Sequence, residues 1–205
     1  MQADPGDVFV ARNAGNVVPL PDTPGGEGAT VEYAVTALGV TDVIVCGHYR
    51  CGAVRAMLEP AEAKDMPAVA AWLAHAGDVR AAVERDHPNL AGDGLWDRAV
   101  ERNVLVQLDN LSRHPAVAAG LAAGTLRLHA WVLRFESGDV LAYDPCTAAF
   151  APLLDMAVVH PALPAAGPAH AEPAPEPPPA APVEPAWPGW TAVLRHDLPA
   201  SLVVF

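Results

Sequence analysis

Val43-Ile44-Val45-Cys46 is an unbroken apolar, β-branched run that leads into Gly47. That is the pattern of a strand buried on both faces, as parallel strands are. After the turn residues His48-Tyr49-Arg50-Cys51-Gly52, the stretch Ala53-Val54-Arg55-Ala56-Met57-Leu58 has helical composition. The pattern therefore predicts a strand, a tight turn and a helix over 52–58. Upstream, Asp7-Val8-Phe9-Val10-Ala11-Arg12 reads as a strand that starts after the turn signal Pro5-Gly6. Residues 19–28 hold prolines, glycines and aspartate and read as a loop. Thr30 is the expected N-cap of a helix whose Val31, Ala34, Val35 and Leu38 share one face, and Gly39 is the expected residue closing it. Strand, helix and strand in this order predict a βαβ unit with parallel pairing.

Farther on, residues 67–86 and 96–113 read as two helices, separated by His87-Pro88-Asn89 and Gly92-Asp93-Gly94. Val100, Val104, Gln107, Leu108 and Leu111 lie on one side of the second helix. Strands are expected over 125–135 and 139–144, joined by a hairpin turn at Ser137-Gly138. Beyond Pro161 the rhythm stops. About half of the chain's 22 prolines fall in residues 161–188, interleaved with alanine and glutamate. Such a stretch predicts an extended linker that packs no core. The chain then turns apolar again, from Trp190 to Phe205. Three segments follow: a folded domain over 1–154, a Pro/Ala-rich linker over 155–188 and a short apolar segment over 189–205. A stiff linker ending in an apolar segment is either an unstructured extension or, by its layout, a peptide that docks on a protein partner.

The length of 205 residues allows one domain with a proper core and an appendage. A formal net charge of -12 argues against nucleic acid or an anionic membrane as partner. No apolar run reaches the roughly 18 residues of a membrane span, and Met1-Gln-Ala-Asp-Pro-Gly-Asp7 has no signal-peptide character. Three cysteines at scattered spacing disfavour a disulfide framework and suit a reducing, cytoplasmic compartment.

The chemistry concentrates in the turn after Val45. His48 and Cys51 offer an imidazole and a thiolate, the donors Zn²⁺ takes, and the His-x-x-Cys spacing lets both point at one ion. The helix starting at Gly52 directs its positive end at Cys51, which favours a thiolate there. Cys46 shares a strand face with His48 by two-residue alternation. His75, His87 and His114 read as surface or capping residues, His129 as a hydrogen-bonded core histidine and Cys146 as an inert or exposed thiol.

Cys46-Gly47-His48 with Cys51-Gly52-Ala53 resembles the zinc loop of β-class carbonic anhydrases. Val8-Phe9-Val10-Ala11-Arg12-Asn13-Ala14-Gly15-Asn16 resembles the family's strand with its Arg-Asn-x-x-Asn turn. Val31-Glu32-Tyr33-Ala34-Val35 through Leu38-Gly39-Val40 resembles the helix before the zinc strand. Asn103-Val104, Gln107-Leu108, Asn110-Leu111, His114-Pro115 and Leu126 to Trp131 resemble the later helix and strand. The likeness covers roughly residues 2–145. It implies an α/β fold with a mainly parallel sheet flanked by helices, a homodimer or higher homo-oligomer, and zinc-dependent reversible hydration of CO2 to bicarbonate. It assigns His48 and Cys51 as metal ligands. Gly52 would keep the backbone close to the metal, with its N–H offered to a bound oxygen of the substrate. Tyr33 would line the cleft or pack on its helix, and Arg12 would play a structural part at the strand end.

One departure qualifies these expectations. The family's Cys-x-Asp-Ser-Arg motif supplies the third zinc ligand and an Asp/Arg dyad beside the metal-bound water, and it appears nowhere in this chain. No residue here is therefore assigned a catalytic role. In the family the same segment forms a central strand between the Arg12-bearing strand and the zinc strand. Without it the sheet is expected to open, with unpaired backbone in its middle, and activity is expected to be impaired. The economical explanation is a truncated sequence. The alternative is a catalytically inactive scaffold or cargo subunit that docks through its C-terminal peptide.

Overall fold

A computed structural model gives the structure of the chain; it describes residues 7–153 and the backbone of Leu202–Val204. Residues 155–188, the expected linker, lie outside the described residues, as does most of the apolar segment after them. The described strands form one six-stranded sheet in the order β1-β6-β2-β3-β4-β5. These are β1 (Phe9–Val10), β2 (Asp42–His48), β3 (Arg127–Leu133), β4 (Val140–Asp144), β5 (Ala149–Pro152) and β6 (Leu202–Val204). β1, β6, β2 and β3 are mutually parallel, whereas β4 and β5 continue the sheet antiparallel. β2 is central, so Val43, Ile44 and Val45 are all buried, as its apolar run predicts.

The helices are α1 (Gly26–Thr36), α2 (Gly52–Leu58), α3 (Pro67–Leu73), α4 (Val79–Asp86), α5 (Gly92–Ser112) and α6 (Pro115–Ala122). α5 packs across β2 and β3 and touches α2 and α4. Its Val100, Val104 and Leu111 are among the most deeply buried side chains and join Val43, Val45, Val54 and Val132 in the main core.

The sheet is not open. Leu202–Val204 lies between β1 and β2 and pairs with both: Val203 is level with Phe9 on one side and with Val43 on the other. The slot between the Arg12-bearing strand and β2 is thus filled from the other end of the chain.

Other boundaries also differ from the sequence reading. α1 starts at Gly26, and Thr30 lies inside it. The glycines suggest a loop, at about 1 kcal/mol each against a helix. Burial of Val31 and Ala34 and the favourable Glu27 in the first turn outweigh that. Gly39, with φ +64°, does turn the chain out of this helix, and Val40 N–H donates to Ala34 O at 3.2 Å. The single helix expected over 67–86 is broken at Gly77, where φ is +78°. Asp78 then caps α4, its carboxylate accepting from Ala81 N–H at 2.9 Å. α5 begins at Gly92, so the supposed separator is its first turn. The sequence reading missed α6 and β5.

Candidate metal centre

β2 ends at His48, at the carboxyl end of the strand, where α/β sheets place their chemistry. His48 Nδ1 lies 3.0 Å from the Tyr49 carbonyl oxygen. A carbonyl only accepts, so Nδ1 carries the proton, and Nε2 keeps a free lone pair. The imidazole also packs on Phe135, with centroids 4.8 Å apart. Tyr49 N–H donates to Leu133 O at 3.0 Å, tying the turn to the end of β3.

Arg50 takes φ +61°, which a non-glycine residue holds only when its surroundings fix it. Its guanidinium pairs with Asp93 at 2.6 Å and lies over the Trp96 ring at 5.6 Å. Trp96 Nε1–H donates to Cys51 O at 2.9 Å. The first turns of α5 therefore grip the turn on both sides of the thiol. Cys51 itself is buried and sits at the N-cap of α2. A Cβ built on Gly52 meets nothing within 4 Å among the described residues, so space lies open in front of that backbone.

Tyr49 Oη donates to Glu101 at 2.6 Å, and Arg98 pairs with the other oxygen of the same carboxylate at 2.6 Å. Burial, with the bond and charge of Glu101, pushes the Tyr49 phenol well above its usual range. Cys46 donates its thiol to Gly47 O at 3.6 Å, and burial pushes that thiol up. It stands as a neutral sheet residue.

A second layer holds the turn in place. Asn103, Gln107 and Asn110 lie along one buried stripe of α5. Asn103 Nδ2 donates to Gly15 O at 2.9 Å and to Asn16 Oδ1 at 3.2 Å. Gln107 Oε1 accepts from Val18 N–H at 2.9 Å, and its Nε2 donates to Asn103 Oδ1 at 3.0 Å. Asn110 Nδ2 donates to Val18 O at 3.0 Å. Asn13 closes its own loop through Val17 N–H and O. The Arg-Asn-x-x-Asn turn and the Asn/Gln stripe, 87 or more residues apart along the chain, are one polar network. Sequence reasoning quoted both motifs but did not join them. The signal was available in the i, i+4, i+7 spacing of amides inside an apolar helix face.

Elsewhere, Arg12 and Tyr33 are exposed, so Tyr33 is not a packed helix residue. His75 is exposed and His87 is the C-cap residue of α4. His114 is the N-cap residue of α6, as the capping reading had it, but is buried, with Nε2 2.9 Å from Pro19 O. His129 is half-buried and bonded to Asp42 at 2.8 Å. Cys146 is exposed.

His48 and Cys51 have the donor chemistry of a zinc site. Among the described residues no group of three or more His, Cys, Asp or Glu gathers to hold a metal. His48 and Cys51 stand on one turn, and no third such group joins them among the described residues.

The sequence matches the carbonic anhydrase family model over residues 1–140. A carbonic anhydrase of Pseudomonas aeruginosa is 45% identical over 167 residues, which is 81% of this chain and 74% of that protein. The solved β-carbonic anhydrase CcaA superposes with a TM-score of 0.71 at 42% identity, over 74% of this chain and 69% of its own. A tetrameric β-carbonic anhydrase of Sordaria macrospora superposes with a TM-score of 0.61 at 26% identity, over 68% and 69% of the two chains. With the turn, its amide network and these likenesses in agreement, the chain belongs to the carbonic anhydrase family, in its β class.

Proposed function

We propose that this chain carries the metal turn of an enzyme for the reversible hydration of CO2 to bicarbonate, with His48 and Cys51 as two zinc ligands. The observation that carries the reading is the Nδ1 bond of His48 to the Tyr49 carbonyl. It fixes the tautomer that leaves Nε2 for a metal, on the same turn as the buried Cys51. Zinc, when bound, brings the pKa of its water toward about 7. Tyr49 and Trp96 orient the two donors, and Gly52 leaves room for an anion beside its N–H. A reducing compartment such as the cytoplasm suits the three free cysteines.

Exposed Val10 and Phe135, 61% and 64% accessible, support burial against further copies of the chain. The tetramer of the Sordaria relative agrees with a homo-oligomer. No helix among the described residues is long and apolar enough to cross a membrane.

The test is zinc content per chain and CO2 hydration by stopped flow, on one purified sample. Near-stoichiometric zinc that is lost in His48→Ala and Cys51→Ser, together with hydration, supports the enzyme. Absence of both zinc and hydration in a folded sample sinks it and favours the inactive scaffold, the reading to which the incomplete donor set points.

A further inference from the structure

We infer, on the reading of His48 as a zinc ligand, that Glu101 is a positioning residue for that histidine. Acting through the Tyr49 phenol, it keeps in place the carbonyl that fixes which ring nitrogen of His48 faces a metal. Glu101 stands 52 positions after Tyr49, on α5, outside the turn that carries both candidate ligands.

The peptide joining Tyr49 to Arg50 is the unit at stake. Its oxygen lies 3.0 Å from His48 Nδ1. Its nitrogen belongs to Arg50, whose φ of +61° is left-handed and strained for a residue with a Cβ. Rotation of this one plane relieves the strain and swings the carbonyl away from Nδ1. The turn holds its shape only while its flanks over-determine it. On the Arg50 side stand Asp93, at 2.6 Å, and the Trp96 ring.

On the Tyr49 side, the N–H bond to Leu133 O is an ordinary backbone bond, and it holds the preceding peptide. The stronger restraint is the phenol, which donates to Glu101 at 2.6 Å. A carboxylate acceptor makes such a bond shorter and stronger than a neutral one. The side chain of Glu101 is only 14% accessible, and Arg98 pairs with its other oxygen at 2.6 Å, so the acceptor is itself fixed. The Arg134 guanidinium, 5.2 Å from the ring centroid, packs on the Tyr49 ring from the β3–β4 hairpin. Glu101 thus ties α5 to the residue whose carbonyl selects the His48 tautomer.

The test uses the full chain without metal, at a pH where the imidazole is neutral. Proton–nitrogen correlation spectra of the ring read which nitrogen of His48 is protonated, with His48→Ala assigning its signals. The parent chain is expected to carry the proton on Nδ1. In Glu101→Leu, and in Tyr49→Phe, which keeps the ring, the ratio of Nδ1–H to Nε2–H is expected to fall about fivefold or more, as loss of one hydrogen bond would give. Glu101→Gln keeps an acceptor for the phenol and is expected to restore the parent ratio. Zinc-loaded samples are expected to release the metal to a chelator about tenfold faster from the first two variants than from the parent. A parent that carries Nε2–H overturns the assignment, and so does a parent-like ratio in folded Tyr49→Phe. A shift in Glu101→Leu that Tyr49→Phe does not reproduce overturns it as well, because the path through the phenol is then absent. Where Glu101→Leu does not fold, Tyr49→Phe decides. A parent that behaves as expected without metal but takes up no zinc sinks the functional reading alone.

Discussion

Gly47 runs so close under α5 that a Cβ on it would lie 2.6 Å from Cγ2 of Val104. The second contact, Val100 Cγ1 at 3.3 Å, leaves no free direction. The glycine in Cys46-Gly47-His48 is thus a packing requirement: it lets α5 lie on the strand that carries His48. Gly47→Ala should cost about 1–3 kcal/mol by overpacking. Val104→Ala in the same chain should recover part of that loss, a non-additivity that urea denaturation of the four chains would measure.

Gln107 joins four partners through one amide, so its removal strands several buried groups at once. Gln107→Leu keeps the volume but leaves Val18 N–H without its acceptor. The expected cost is about 1–3 kcal/mol or more. Faster amide exchange across residues 13–18, with little change in β4 and β5, would check that the loss is local to the loop it anchors.

Asp42 gives the fold a pH dependence at the opposite end of β2 from the candidate metal turn. Burial raises its carboxyl, but hydrogen bonds from Arg127, His129 and Thr41, with the Arg127 charge, outweigh that and hold it far below the usual range. A carboxyl depressed on folding stabilises above its unfolded pKa, about 3.9, and that stability is lost as pH falls through the folded value. Stability should therefore hold level near neutrality and decline below about pH 4 to 5. Asp42→Asn should be less stable at pH 7 by about 1–3 kcal/mol and should show a shallower acid decline, read from denaturation midpoints between pH 3 and 7.

Trp96 acts on the candidate metal turn through the Cys51 carbonyl. Trp96→Phe keeps the ring under Arg50 and Arg55 but removes the N–H donor. Its stability cost should stay near 0.5–1.5 kcal/mol, while a chromophoric chelator should strip zinc about tenfold more readily than from the parent chain. Equal zinc retention would show that the turn keeps its shape without that bond.

The local pattern was legible where apolar rhythm and turn chemistry agreed. The buried run Val43–Val45, the turn at His48–Cys51 and the hairpin near Gly138 all follow from neighbours in sequence. The break at Gly77 and the early start of α1 were not legible, because glycine sits in helices and in turns alike and tertiary burial decides between them. The buried place of His114 depends on Pro19, 95 residues away, which no local pattern encodes. The filled sheet was hidden for the same reason. A short apolar run after a proline-rich stretch reads as a docking peptide or a loose extension, and only the pairing partners show Leu202–Val204 between β1 and β2.

That pairing joins Phe9 to Val203, a contact across 194 positions of the sequence. On a ribosome adding about 5–20 residues per second, the amino-terminal strand waits roughly ten seconds or more before its neighbour exists. Long-range closure of this kind slows folding, since the loop entropy is lost before any contact rewards it.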